Sequence, residues 1–229
     1  NVGVYAGYSH TGNYCVIIGS DAAYNTTGVD SSVIIGRQAW GTGVGTGDDN
    51  VVIGSLAGQD LTSAAQTILI GSNAGMNLTT GTYNTVMGYD ALKASAGGTY
   101  NVALGWMAMR YHSQAVSGYN VALGSKAMYN IDTGIANVVL GDSAMYGKQG
   151  TTNSDNVAIG ASALYYASGA MSNVAVGQSA LNATTTGDQN TAVGLFAGIY
   201  NTTGDGNVFI GANAGPSSTN TDDDKLYIH

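Results

Sequence analysis

The sequence of 229 residues lacks several residue types that most globular proteins use freely. It contains no glutamate, so all 14 acidic residues are aspartates, and lysine and arginine together number only six. Because Glu, Lys and Arg are the usual solvent-facing residues of helices, we do not expect surface helices. The chain has one proline and 35 glycines, with abundant Thr, Asn, Ser and Val. This composition favours short strands joined by tight turns.

The charge, the cysteine count and the apolar runs of the sequence argue against nucleic-acid binding, disulfide bonding and membrane insertion. The formal net charge of −8, with scattered basic residues, disfavours nucleic acid and anionic membranes, which need clustered Lys or Arg. Cys15 is the only cysteine, so no intrachain disulfide can form, and we expect a packed or half-buried thiol. No apolar run approaches the roughly 18 residues that a membrane-spanning helix needs, so no membrane insertion is expected.

One short unit recurs along the whole chain and is seen most clearly in residues 156–163. Each copy contains a glycine, and these anchor glycines recur at intervals of 16 to 19 residues, most often 17. Such self-similarity is typical of a solenoid. We therefore predict an all-β, parallel β-solenoid (β-roll) of about 13 coils with repeats of about 17 residues. The anchors are Gly3, Gly19, Gly36, Gly54, Gly71, Gly88, Gly105, Gly124, Gly141, Gly160, Gly177, Gly194 and Gly211.

The three residues before each anchor glycine have the character of a β-strand. In the clearest copy, Val157 and Ile159 precede Gly160 by three and one residues, and the equivalent positions are apolar or β-branched in the other copies. We expect these two positions to face the core. The intervening position, Ala158 here, is apolar throughout, so the opposite face must also be covered. Further copies of the chain are the simplest cover, which predicts solenoids intertwined or packed as a homotrimer.

Two further positions of the unit are nearly constant. Asn stands four residues before the glycine in nine of twelve copies, as at Asn156. Amides stacked at the strand spacing of roughly 4.8 Å can form a hydrogen-bonded ladder, and the alternative is a row of amides that binds a ligand. Ala stands three residues after the glycine in all thirteen copies, as at Ala163. A position that admits only a methyl group indicates the close approach of another backbone.

No residue pattern predicts catalysis. His10, His112 and His229 are far apart in sequence and belong to different coils, so a three-histidine metal site would require accidental convergence. No Ser-His-Asp or Cys-His arrangement stands out, and the anchor glycines lie one per coil at corners, which does not indicate a phosphate-binding loop. We therefore predict a protein that is not an enzyme and that has no catalytic residues, cofactor or metal.

Two coils exceed the common length and should project as loops. They lie between Gly105 and Gly124 and between Gly141 and Gly160. Aromatic and polar side chains on a projecting loop suit contact with a sugar or protein surface, and the alternative is that they only cap and space the coils. The candidate receptor-contact residues are Trp106, Arg110, Tyr111, His112 and Gln114 in the first loop and Tyr146, Lys148 and Gln149 in the second, with Tyr165 just beyond it.

The repeat resembles those of two families of surface fibres. The units Asn-Val-Ala-Ile-Gly at 156–160 and Asn-Val-Ala-Leu-Gly at 101–105 resemble the head repeats of YadA-like trimeric autotransporter adhesins, which form a trimeric left-handed parallel β-roll, although this chain has longer repeats. Residues 190–198, 201–204 and the Lys-Leu-Tyr-Ile stretch at 225–228 are more similar to repeats of bacteriophage tail fibres that precede an endosialidase-type intramolecular chaperone. The resemblance implies a matured or truncated trimeric fibre segment.

These observations combine into an expected organisation and role. Residues 1–215 are predicted to form the β-solenoid repeat domain, and residues 216–229 a polar linker and a terminal strand. The expected function is that of a structural fibre or adhesin segment, a rigid trimeric shaft outside the cell or on the virion surface. It would mediate attachment to a host or other surface through a cell-surface glycan or protein receptor. The alternative is a monomeric β-solenoid that binds polysaccharide or ice through a repetitive face.

Overall fold

The computed structural model describes residues 1–113 and 118–229, and within these ranges every regular element is a short strand. The chain divides into two compact units, Asn1–Gly118 with strands β1 to β6 and Tyr119–His229 with strands β7 to β13. The strands are β1 Val16–Ile18, β2 Val33–Ile35, β3 Val51–Ile53, β4 Ile68–Ile70, β5 Thr85–Met87, β6 Val102–Leu104, β7 Val121–Leu123, β8 Val138–Leu140, β9 Val157–Ile159, β10 Val174–Val176, β11 Thr191–Val193, β12 Val208–Ile210 and β13 Leu226–Ile228.

Within each unit the strands pair in parallel with their neighbours in sequence. The register joins equivalent repeat positions, so that Val157 lies opposite Val174 and Ala158 lies opposite Ala175. Every position of the repeat therefore forms a column along the stack of coils. This arrangement is a parallel β-solenoid of about 12 turns, and the predicted fold class and period of about 17 residues are confirmed.

The structure reverses the predicted sides of the strands. Ala158 is fully buried, whereas Ile159 is 36% exposed and Val157 is half-buried. The same pattern holds from β1 to β12, where the middle residue of each strand lies inside its unit. The prediction that Ala158 lies on the outer face against a partner copy is therefore wrong. Alternation separates the two faces of a strand but does not identify the inner one when both are apolar.

In several coils two interior positions compensate for each other in volume. Where the buried strand residue is the small Ala158, the residue four after the anchor glycine is Leu164, which is also fully buried. Where the strand residue is Leu69, the second position is Gly75, and an added Cβ there would lie 2.8 Å from Leu69 Cδ2. The interior is thus filled by bulk from either position. Ala163 is fully buried as well.

Each coil turns its corners with residues in the left-handed region of backbone conformation. Gly160 has φ +130°, and a Cβ on it would lie 2.5 Å from the carbonyl oxygen of Gly177 in the next coil. Non-glycine residues share this handedness, among them Asp155 with φ 59°, Ser162 with φ 56° and Leu164 with φ 52°. Such angles are uncommon for residues with a side chain, so the stacking of the coils enforces them.

The repeated asparagines form a buried ladder. In the second unit the backbone N–H of Asn173 donates to Asn156 Oδ1 at 3.0 Å, and that of Asn190 donates to Asn173 Oδ1 at 2.9 Å. Asn173 Nδ2 also donates to the carbonyl of Gly187 at 2.9 Å. The predicted ladder is confirmed. Because Asn156, Asn173 and Asn190 have no exposed surface, the alternative of a ligand-binding row does not hold for them.

The last strand continues the sheet of the second unit. Leu226 pairs with Val208 in parallel register, and the ring of Tyr227 stacks on that of Phe209 with centroids 5.0 Å apart. The N–H of Lys225 donates to Asn207 Oδ1 at 2.9 Å, which extends the asparagine ladder by one coil. Strand β13 therefore stacks as a further coil, although no anchor glycine accompanies it.

Candidate functional site

A column of stacked tyrosines is the most distinctive surface feature of the second unit. Tyr129, Tyr146 and Tyr165 each stand five residues after the anchor glycine of their own coil. Because the coils stack in register, the rings of Tyr129 and Tyr146 stack with centroids 5.0 Å apart, as do those of Tyr146 and Tyr165. Tyr166 meets Tyr165 edge to face, at 4.8 Å and an interplanar angle of 76°. The rings thus form a stacked column that ends in a corner between Tyr165 and Tyr166.

A groove lies against this corner and has a volume of about 480 Å³. We call it the tyrosine groove. Its residues combine aromatic walls with a few polar groups, as is typical of small-ligand sites. Tyr166 is 58% exposed, so one wall of the groove is open to solvent. The lining residues are Tyr146, Gly147, Lys148, Tyr165, Tyr166, Ser168, Ala183 and Thr185.

A turn specific to this coil places Lys148 beside the tyrosines. Gly147 and Gly150 have φ angles of 70° and 76°, which glycine adopts readily. A Cβ on Gly147 would overlap Ile131 Cδ1, and the Gly147 N–H donates to the Tyr165 carbonyl at 2.9 Å. The backbone at Gly147 is therefore held close to the adjacent coils. The next residue, Lys148, is exposed.

The groove carries one charged side chain and several neutral polar groups. Lys148 is the only lining residue with a formal charge at neutral pH. Burial raises the pKa of the Tyr165 phenol, with smaller contributions from Tyr146 and Tyr166, so this group stays protonated and can donate a hydrogen bond. The Thr185 hydroxyl donates to the carbonyl of Thr202 at 3.1 Å and retains lone pairs that can accept a hydrogen bond.

The second predicted loop therefore contributes to this groove. Of its residues, Tyr146 and Lys148 line it together with Tyr165, whereas Gln149 is exposed and is not among the lining residues. Sequence reasoning overlooked Tyr129 and Tyr166. Tyr129 could have been identified from the sequence, because it occupies the same repeat position as Tyr146 and Tyr165 in the following coils. Residues at the same repeat position become neighbours once the coils stack.

The first predicted loop belongs to the first unit, where its residues have different environments. Trp106 is 46% exposed, whereas His112 is fully buried, so its ring does not reach the surface of the unit. The Arg110 guanidinium lies over the Tyr111 ring, 5.2 Å from its centroid. Gln114 lies outside the described residues. The structure thus brings Arg110 and Tyr111 together but does not place His112 on the exposed surface with Trp106.

A buried carboxylate fixes the position of Arg110. Its Nη2 lies 2.9 Å from Asp90 Oδ2, and Lys93 Nζ lies 3.3 Å from Asp90 Oδ1. Asn73 Nδ2 donates to the same oxygen at 2.8 Å. The Asp90 side chain is only 1% exposed, so two cations and an amide compensate its buried charge. We interpret this cluster as a structural centre of the first unit.

The described residues offer no arrangement typical of metal or thiol chemistry. Residues 1–113 and 118–229 contain no group of three His, Cys, Asp or Glu side chains able to hold a metal ion. The half-buried Cys15 thiol donates to the carbonyl of Val29 at 3.2 Å, and burial raises its pKa. A raised pKa disfavours the reactive thiolate. In the same ranges no helix is long and apolar enough to cross a membrane.

The chain thus belongs to the class of parallel β-solenoids, with about 12 turns and an aromatic groove on its second unit. No protein-family model matches it, and comparisons with curated proteins and with solved structures found no significant similarity.

Proposed function

We propose that this chain is a structural fibre or adhesin segment that assembles as a homotrimer and attaches to a host or other surface through its turns. The outward face of the sheet in each unit carries the proposal. Apart from Thr85 and Thr191, every first and third strand residue on this face is apolar, and none is charged. Monomeric soluble proteins rarely expose contiguous apolar patches larger than a few hundred Å², so an apolar face that runs along the whole sheet is typical of an interface.

Copies of the same chain fit this face better than an unrelated partner does. The outward residues repeat at the strand spacing of about 4.8 Å, so copies related by an axis along the stack can pack coil against coil. No acidic residue lies at a first or third strand position. Asp188 and Asp205 lie in turns, where each accepts a hydrogen bond from a backbone N–H of the preceding coil. The resemblance to trimeric β-rolls of adhesins and tail fibres favours three copies, located outside the cell or on a virion.

A double substitution on the outward face tests the assembly. We expect the wild-type chain to scatter light as a trimer of about 69 kDa, which is three times 23.1 kDa. Ile159→Asp combined with Val193→Asp should give a monomer of 23.1 kDa with an unchanged circular dichroism spectrum. The reason is that two carboxylates would be desolvated in an apolar interface, at a cost of several kcal/mol each.

The matched control adds the same two charges elsewhere. Thr186→Asp with Gln189→Asp places them on exposed turn residues of the same unit and should leave the trimer intact. A wild-type chain that remains monomeric at micromolar concentration would refute the assembly. A double variant on the outward face that still forms trimers would show that another surface holds the copies together.

Attachment is tested with the fluorescently labelled wild-type chain on cells. We expect binding that saturates and that falls after the cells are treated with glycosidase or protease, depending on which class of receptor is present. A chain that forms trimers but binds no cell type, coated surface or immobilised glycan would refute the adhesin role. The role as a structural fibre would then stand alone. The proposed role requires no catalysis, and glycan shortening on incubation with the protein would contradict it.

A second candidate is a monomeric solenoid that binds polysaccharide or ice through a repetitive face. The column of threonines at Thr185 and Thr202 favours it, because these hydroxyls repeat from one coil to the next. However, Thr185 donates to the carbonyl of Thr202, and Thr202 donates to that of Asn220 at 3.1 Å. Both hydroxyl protons thus serve the stacking of the coils. A monomer that inhibits ice recrystallisation would favour this second function.

A further inference from the structure

We propose that the tyrosine groove binds a pyranose sugar that carries a carboxylate. The inference rests on the proposed function, because it assigns a chemical class to the receptor. Three properties of the groove support it, namely the orientation of its rings, the polar groups beside them and the sign of its only charge.

The rings suit the apolar face of a sugar. Tyr165 and Tyr166 meet at 76°, so one ring can lie under a pyranose while the other closes its side. The axial C–H groups of a pyranose form a flat apolar face that packs well on the face of an aromatic ring. Tyr146 and Tyr129 stack behind Tyr165 in two steps of 5.0 Å, which fixes the orientation of the Tyr165 ring at the groove.

The polar groups suit the edges of a sugar. The Tyr165 phenol is protonated, so it can donate to a ring hydroxyl, and the Thr185 oxygen can accept from another. Ser168 adds a further hydroxyl to the lining. Sugars offer hydroxyls that both donate and accept, so a mixed set of this kind matches their edges better than it matches a purely apolar ligand.

The charge of the groove selects an acidic sugar. Lys148 is the only ionic group among the lining residues, and no carboxylate opposes it there. This contrasts with the chain as a whole, which has a net charge of −8. A single ammonium group suits one carboxylate. Single-stranded nucleic acid also stacks on aromatic rings, but it needs a row of cations to follow its phosphates, and the groove offers one.

The affinity of the full-length chain for two matched probes tests this inference. Isothermal titration calorimetry would compare digalacturonate with the neutral galactose disaccharide of the same linkage. We expect digalacturonate to bind more tightly, by about tenfold, the increment of one charged hydrogen bond. Lys148→Gln should remove this difference and leave the affinity for the neutral disaccharide unchanged.

Removal of the Tyr166 ring should reduce the affinity for both probes. Tyr166→Ala should weaken binding by about tenfold or more, as loss of an aromatic stacking partner does elsewhere. Tyr166→Phe should preserve it because the ring remains. Tyr83→Ala is the matched control, since Tyr83 is likewise an exposed tyrosine that contacts another tyrosine ring, at 4.8 Å, but it lies in the first unit. Its affinity for digalacturonate should equal that of the wild type.

The outcomes separate this inference from the proposed function. No measurable binding of digalacturonate, or binding that survives Tyr166→Ala, would overturn the site. Equal affinity for the acidic and neutral disaccharides would overturn the requirement for a carboxylate. If the trimer attaches to cells equally well with and without Tyr166→Ala, the groove is refuted as the receptor site while the adhesin role stands. If digalacturonate binds as expected but the chain attaches to no surface, the adhesin role fails and the site stands.

Discussion

Gly160→Ala is expected to destabilise the second unit by about 2 to 6 kcal/mol, because it combines backbone strain with steric overlap. Gly160 has φ +130°, a conformation that residues with a Cβ rarely adopt. The added methyl carbon would lie 2.5 Å from the carbonyl oxygen of Gly177 and 2.6 Å from its carbonyl carbon. Neither atom can retreat without separating two stacked coils. Thermal unfolding followed by circular dichroism, together with limited proteolysis near residue 160, measures the effect.

Gly150→Ala is the matched control for this prediction. Gly150 also has a positive φ, of 76°, but a Cβ added there meets no atom within 4 Å. Only the conformational cost of about 1 to 2 kcal/mol should therefore appear. The difference between the two variants isolates the close approach of the next coil. Equal stability of the two would mean that the coils can separate locally at no cost, which would contradict the equally close packing seen at Gly141, Gly177 and Gly194.

The sequence was sufficient to predict the solenoid but not the orientation of its strands. The regular interval between glycines and the β-branched residue at positions such as Val157 identify a stack of short parallel strands. Ala158 and Ile159 are both apolar, so their alternation does not show which side is enclosed. The distinction depends on volume. Ala158 is buried because Leu164 fills the space beside it, and this pairing becomes visible only when the coil is closed.

The left-handed corners were harder still to predict. Glycine occupies the position of Leu164 in some coils, which hints at a positive φ, but Leu164 itself adopts φ 52°. Its side chain fills the interior, and the stacking of adjacent coils outweighs the local preference of the residue. Similar reasoning applies to the tyrosine groove. The loop containing Tyr146 and Lys148 was predicted from its length, whereas the repeat pattern did not indicate that Tyr166 borders the groove beside Tyr165.

The asparagine ladder supports a second large effect. Asn173→Ala should destabilise the second unit by about 2 to 6 kcal/mol, because two buried backbone groups would each lose a partner, at about 1 to 3 kcal/mol apiece. The Asn190 N–H would lose the acceptor Asn173 Oδ1, now at 2.9 Å, and the Gly187 carbonyl would lose the donor Asn173 Nδ2, also at 2.9 Å. Chemical unfolding gives the free energy, and hydrogen exchange of the Asn190 amide reports the local loss.

Asn173→Ser separates the two hydrogen bonds. The first unit has a serine at the equivalent position, where the Asn50 N–H donates to Ser32 Oγ at 3.0 Å. Ser32 Oγ itself donates to the carbonyl of Asp30, two residues before it. A serine at 173 should thus preserve protection of the Asn190 amide but leave the Gly187 carbonyl without its donor, so about half of the stability loss should remain.

Identical losses for the alanine and serine variants would show that the amide of Asn173 stabilises the coil only through its Nδ2 group. A negligible loss of unfolding free energy for Asn173→Ala would mean that water replaces the hydrogen bonds of the ladder. The regular recurrence of asparagine would then reflect only its preference for the turn before each strand.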